Sequence, residues 1–183
     1  VDLGSGRIAL SVKAAHGHTC AVLDDRSVKC WGYNASGQVG DGSNTDRLTP
    51  TQVNLGANNT AHSVTARGHT CALLTDGSVK CWGPNSYGEL GDGTTTSQNT
   101  PVDADTGHAT ARHVATGGYF TCAIQSWGEI KCWGRNDEGQ LGDGTGANSS
   151  SPVTVALDAG ETAQAVVAGG AHACAVLSDG SVK

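Results

Sequence analysis

Seven cysteines define the chemistry open to this chain. Six fall in pairs ten residues apart: Cys20 and Cys30, Cys71 and Cys81, Cys122 and Cys132. Each pair flanks the same kind of segment, for example His69-Thr70-Cys71-Ala72-Leu73-Leu74-Thr75-Asp76-Gly77-Ser78-Val79-Lys80-Cys81-Trp82-Gly83. Cysteines so placed can bridge to each other or, with a histidine two residues upstream, hold a metal. His18, Cys20 and Cys30 make three possible ligands, but Phe120 stands at the histidine position of the third copy and leaves only two sulfurs there. Zinc sites want at least three protein ligands. No metal site is expected, and the pairs read as disulfides, with the partner of Cys174 expected beyond the chain end.

The elements that hold these residues repeat about every 51 residues, stepping from Cys20 to Cys71 to Cys122 to Cys174. A fixed period of this length marks a repeat architecture, in which each copy needs its neighbours to bury a core. The units run 1–52, 53–101 and 102–152, with a partial fourth at 153–183, together one repeat domain. Their local signals are those of β-structure: short β-branched segments such as Ser63-Val64-Thr65-Ala66, bounded by glycine or aspartate, with no sustained helical period. The segment Leu74–Ser78 reads as a three-residue hairpin loop with Gly77 in the left-handed position. That register puts Cys71 directly opposite Cys81, at the close spacing of a non-hydrogen-bonded pair. In the first copy Arg26 takes the glycine position, at a steric cost that predicts a different loop. In the third, Trp127 replaces the aspartate and is either a contact with the neighbouring unit or an exposed binding residue.

Composition excludes several functions. The formal net charge is −6, and Lys29, Lys80, Lys131 and Lys183 recur once per unit without clustering. Nucleic-acid binding, which needs a basic stripe, is not expected. No apolar run approaches the roughly 18 residues of a membrane span. The chain starts at Val1 with no signal-like segment, so a processed or partial chain is expected. Repeated paired cysteines point to an oxidising compartment, extracellular or at the cell surface.

The run Gly68-His69-Thr70-Cys71-Ala72-Leu73, then Asp76-Gly77-Ser78-Val79-Lys80-Cys81-Trp82-Gly83, Asn85 and Gly88-Glu89-Leu90-Gly91-Asp92-Gly93-Thr94 resembles the regulator of chromosome condensation (RCC1) repeat. Gly37-Gln38-Val39-Gly40-Asp41-Gly42 and Gly139-Gln140-Leu141-Gly142-Asp143-Gly144 repeat its second half. Cysteines flanking the hairpin look like the bacterial extracellular branch of these repeats. The resemblance implies an all-β fold, a propeller of four-stranded antiparallel blades, usually seven, assembled from adjacent repeats. About 3.5 repeats then make a partial ring or an open array. Family members include a guanine-nucleotide exchange factor acting on chromatin and bacterial inhibitors of β-lactamase. Neither function carries over on these motifs, because the signature residues are structural.

The remaining candidates are modest. Asp41, Asp92 and Asp143 sit in glycine turns and read as caps of their own backbone rather than calcium ligands. His18, His69 and His172 share one position and read as structural. Tyr33, Asn34, Tyr87, Arg135 and Asp137 follow the Trp-Gly pairs and vary on a constant frame, where a repeat protein places recognition. Asn34, Asn58 and Asn148 begin N-glycosylation sequons. No nucleophile–base set or phosphate loop stands out, so neither enzyme activity nor a cofactor is expected. The expected function is a non-enzymatic extracellular scaffold for a protein or glycan ligand. The alternative is a subunit that assembles with copies of itself into a head-to-tail filament.

Overall fold

The computed structural model describes residues 1–107 and 110–183. Its strands form three consecutive four-stranded antiparallel meanders and one two-stranded sheet. The first comprises β1 (Ala9–Ala14), β2 (His18–Leu23), β3 (Val28–Gly32) and β4 (Arg47–Gln52). The second comprises β5 (Ala61–Ala66), β6 (Thr70–Leu74), β7 (Val79–Gly83) and β8 (Gln98–Asp103). β9 (Ala111–Thr116), β10 (Phe120–Gln125), β11 (Ile130–Gly134) and β12 (Ser149–Thr154) make the third, and β13 (Ala163–Ala168) with β14 (Ala173–Leu177) the last. The fold is the all-β array of propeller blades that the repeat implies.

The core lies between the sheets. Val22, Val28, Val39, Leu55, Val64, Leu74 and Trp82 fill the space between the first and second. Leu73, Val79, Leu90, Val114 and Trp133 fill the next, and Phe120, Ile124, Ile130, Leu141, Val166 and Leu177 the third. Strands β6 and β10 are buried at every residue, because each has a sheet on both faces. That is why they read as continuous apolar runs rather than as alternating strands.

Two expectations are corrected here. The unit boundaries at 101/102 and 152/153 cut through β8 and β12. Pro50, Pro101 and Pro152 lie inside β4, β8 and β12, each at the outer edge of its sheet, where a missing N–H is tolerated. The Arg26 loop also does not differ from its counterparts. Arg26 adopts φ +64° and donates its N–H to the Leu23 carbonyl, as Gly77 at φ +86° does to Leu74. The Asp25 carboxylate accepts from Ser27 N just as Asp76 does from Ser78 N, so the turn chemistry around the position outweighs the Cβ penalty. Relief of that penalty, about 1–2 kcal/mol, less about 0.5–1 kcal/mol of glycine entropy, predicts that Arg26→Gly stabilises the chain by about 0.5–1 kcal/mol. Chemical denaturation of the two proteins checks it.

Candidate functional site

Each cysteine pair is joined. Cys20 bonds Cys30, Cys71 bonds Cys81 and Cys122 bonds Cys132, with Cα–Cα separations of 4.1 Å. The registers Cys20↔Cys30, Cys71↔Cys81 and Cys122↔Cys132 bring the strands to this spacing without distortion of the ladder. The bridges are buried in the inter-sheet cores, while Cys174 is exposed and unpaired among the described residues. Closing a loop of this length is worth about 3 kcal/mol in the chain-entropy account. Replacing Cys71 and Cys81 together by alanine should therefore lower the unfolding free energy by about that amount. Dithiothreitol, which opens all three bridges of the parent and the two left in the variant, should cost the parent about one bridge's worth more, which urea titrations with and without reductant will read.

A second set of residues clasps neighbouring sheets. His18 Nε2 lies 2.7 Å from Thr70 Oγ1, Thr70 donates to the Gln38 carbonyl at 3.0 Å, and Trp82 Nε1 donates to the same carbonyl at 3.0 Å. His69, Thr121, Glu89 and Trp133 repeat the arrangement one unit on, at 2.6, 2.9 and 2.9 Å. Because each threonine hydroxyl gives its hydrogen to a carbonyl, it accepts from the imidazole, and the ring is the neutral Nε2–H tautomer. Nδ1 of His69 is buried without a partner, so a second proton there would have nowhere to go. Burial, with a smaller push from a neighbouring histidine, lowers His18 to about 4 and His69 to about 3. At the third junction Phe120 replaces the histidine, and Ala173 replaces the threonine in the same core. The polar pair has become an apolar pair.

Asn34, Asn85 and Asn136 form a third constant element, each fully buried. Asn34 Nδ2 donates to the Ser43 and Thr45 carbonyls at 3.0 Å, and its Oδ1 accepts from Val39 N at 2.9 Å. The other two make the matching bonds to the loops that carry Asp92 and Asp143. Asn34 therefore pins its loop and is not a contact residue. Its amide nitrogen is committed and enclosed, so the sequon there is incompatible with a glycan in the folded chain. Asn58 is exposed at φ +64°, and Asn148 is exposed while its Oδ1 accepts from Asn136 N. Asp41, Asp92 and Asp143 cap Ser43 N, Thr94 N and Thr145 N, as their turns require.

The variable side chains around this frame gather on one face. The Tyr87 and Tyr119 rings meet at 5.4 Å with a 57° tilt, and the Arg135 guanidinium stands 5.6 Å from the Tyr87 centroid. Arg135 in turn grips Asp137 through two hydrogen bonds of 2.5 and 2.6 Å. That pairing raises the Arg135 pKa and lowers that of Asp137. The cluster straddles the loop after β7 and the third sheet, and Tyr33, half exposed, occupies the corresponding edge of the first. Tyr33, Tyr87 and Asp137 stand at three different repeat positions rather than one. Tyr119 was missed by sequence reasoning, although its signal was present: it stands where Gly17 and Gly68 stand in the other copies. Trp127 is 59% exposed and lies at the far end of β10 from Tyr119. It is an exposed tip residue and does not join the cluster.

Comparison with known proteins agrees with this architecture. The regulator of chromosome condensation (RCC1) repeat matches at residues 27–73, 76–124 and 128–176, and a second RCC1 repeat description at 11–38 and 111–140. Each of the three long matches begins near a hairpin tip, so a family repeat supplies the outer strands of one sheet and the inner strands of the next. The Ultraviolet-B receptor UVR8 of Arabidopsis thaliana is 30% identical over 173 residues, 93% of this chain and 39% of the receptor. The structure of human WBSCR16 superposes with a TM-score of 0.84 at 23% identity, covering 95% of this chain and 46% of that one. Prp20p from Saccharomyces cerevisiae, studied with its binding to Gsp1p and histones, gives 0.80 at 20% identity, with 88% and 42% covered. The chain thus spans less than half the length of these proteins. It belongs to the RCC1-repeat family and carries that family's β-propeller fold.

Proposed function

We propose that the chain is a non-enzymatic, extracytoplasmic scaffold that binds a protein through the loop face bearing Tyr33, Tyr87, Tyr119, Arg135 and Asp137. One observation carries the reading: an aromatic and ionic cluster assembled from two sheets, held on a frame whose buried residues hardly change between units. Aromatic and arginine side chains are the usual anchors of protein interfaces. Protein binding by a propeller of the same fold, as with Prp20p, gives it support. Three buried disulfides support the oxidising compartment. Alkylation of the intact protein tests that part: only Cys174 should react before reduction, and reaction of all seven cysteines defeats it. Binding to arrays of extracellular proteins and of glycans should give specific protein ligands that the Tyr87→Ala/Arg135→Ala variant no longer holds. Ligands kept in full by the variant, or only glycan ligands, refute the protein-binding face.

A second reading, head-to-tail assembly, is favoured by exposed apolar residues at both flanks of the array. Ile8, Leu10 and Val12 are 51–65% exposed beside or within β1, and Val167 and Val182 are 64% and 65% exposed at the other flank. Heterologous contacts that do not close make filaments. Size-exclusion chromatography with negative-stain microscopy separates the readings: compact particles for the scaffold, extended fibres for the polymer.

A further inference from the structure

The innermost strands β1, β5, β9 and β13 lie side by side, and they segregate charge. These strands and the turns that follow them carry Lys13, His16, His62, Arg67, Arg112 and His113 and not one aspartate or glutamate, in a chain with 17 acidic residues against 11 lysines and arginines. Each inner strand has a register shift at the same place, at Leu10, His62, Arg112 and Gln164. A bulge re-aims side chains, and here it turns two successive residues, Arg112 and His113, toward the same groove. That groove holds about 430 Å³ and is lined by Lys13, His62, Thr65, Arg112, His113 and Val167 among others.

The cations in it lack counter-charges. The ion pairs among the described residues use Arg7, Arg47, Lys80, Arg135 and Lys183, all outside the groove. Among the described residues the Arg112 guanidinium donates only to the Ala163 and Gln164 carbonyls, so its charge is uncompensated there. His113 Nδ1 is buried with no hydrogen-bond partner among the described residues. Burial first, then the nearby Arg112 and Lys13, hold His113 below its usual pKa, which places all three in one electrostatic field.

We propose that this groove binds a short acidic peptide segment, its carboxylates meeting Lys13, Arg112 and His113 and an aliphatic residue lying on the exposed Val167. A volume of this size suits a few side chains and falls in the range of ligand sites, roughly 300–1,000 Å³. Two cations, Lys13 and Arg112, match two carboxylates, and His113, neutral in the free groove, can hydrogen-bond a third or take up a proton beside it. A nucleic acid, needing a long basic track, would meet the acidic exterior instead. The site shares no residue with the loop-face cluster and stands whichever way that test falls.

Fluorescence anisotropy with labelled Glu-Val-Glu-Val-Glu tests it on the whole chain. Binding should weaken as salt is raised, and the Gln-Val-Gln-Val-Gln peptide should not bind. Lys13→Gln and Arg112→Gln should each weaken binding about five- to tenfold, while Arg26→Gln, at an exposed turn, changes nothing. Lys13 is exposed and its side chain makes no hydrogen bond among the described residues, so its variant keeps the test decisive should Arg112→Gln disturb β13. On binding, the His113 pKa followed by NMR should rise. No binding of the acidic peptide, equal binding of the glutamine peptide, indifference to Lys13→Gln, displacement by inorganic phosphate at equal concentration, or tighter binding of single-stranded DNA each overturns the proposal.

Discussion

Acidification from pH 6.5 to pH 4 is expected to remove roughly 3 kcal/mol of stability for each of His18 and His69. Both rings are neutral in the folded chain, at about 4 and about 3, against about 6.5 for a free imidazole. A folded pKa below the unfolded one means that the unfolded chain binds more protons as pH falls. The stabilisation is therefore complete above pH 6.5 and is lost progressively on the way down to the folded values. Glu89, whose carboxyl is raised by burial, works against this trend near its own titration range. The capped aspartates Asp41, Asp76 and Asp143, lowered in the fold, add their losses only below about pH 4. The third junction supplies the control. His69→Phe with Thr121→Ala copies the Phe120 and Ala173 pair into the second junction, leaving Glu89 O to Trp133. Urea unfolding at a series of pH values should show a shallower slope between pH 6.5 and 4 in this double variant, with His18 and His113, also lowered by burial, keeping their share. An unchanged slope would show that the clasp histidines are not the acid-sensitive groups.

What could be read from the sequence, and what could not, follows from the range of each interaction. The hairpin that joins Cys71 to Cys81 is local, so spacing and turn residues specify its register, and the structure has Cys71 opposite Cys81. The loop at Arg26 shows the limit of propensity: neighbouring Asp25 and Ser27 fix the turn, and the arginine follows. The clasp joins residues 52 positions apart, His18 with Thr70, and no local pattern announces it. Its trace was the joint change to Phe120 and Ala173, visible only once neighbouring units are compared in pairs. Asn34 was misread because it stands beside the variable Tyr33. Its recurrence as Asn85 and Asn136 was the sign of a buried, fully bonded amide. The inner groove escaped notice because the bulges break strand alternation, so a period of two cannot tell that Arg112 and His113 share a surface.

Trp133→Ala should cost about 3–5 kcal/mol, the usual range for truncating a buried tryptophan. The indole is fully buried in the core between the second and third sheets and donates to the Glu89 carbonyl at 2.9 Å. It rests on Gly91, where a Cβ would stand 2.6 Å from the indole nitrogen, so backbone and ring are fitted with no slack. Part of the polar loss is cushioned, since Thr121 still donates to the same carbonyl. The cost is therefore mainly the cavity and the lost contacts between sheets. Trp31 holds the same place in the first unit, yet it is only half-buried, beside Val1, Gly4, Lys29 and Pro50. In these 183 residues Trp31→Ala should cost about 1 kcal/mol or less, because the indole is only half-buried among the described residues. Equilibrium unfolding of the two variants gives the comparison. Equal losses would mean that the tryptophan acts within its own sheet; a difference of at least 2 kcal/mol assigns its energy to the junction with the unit before it.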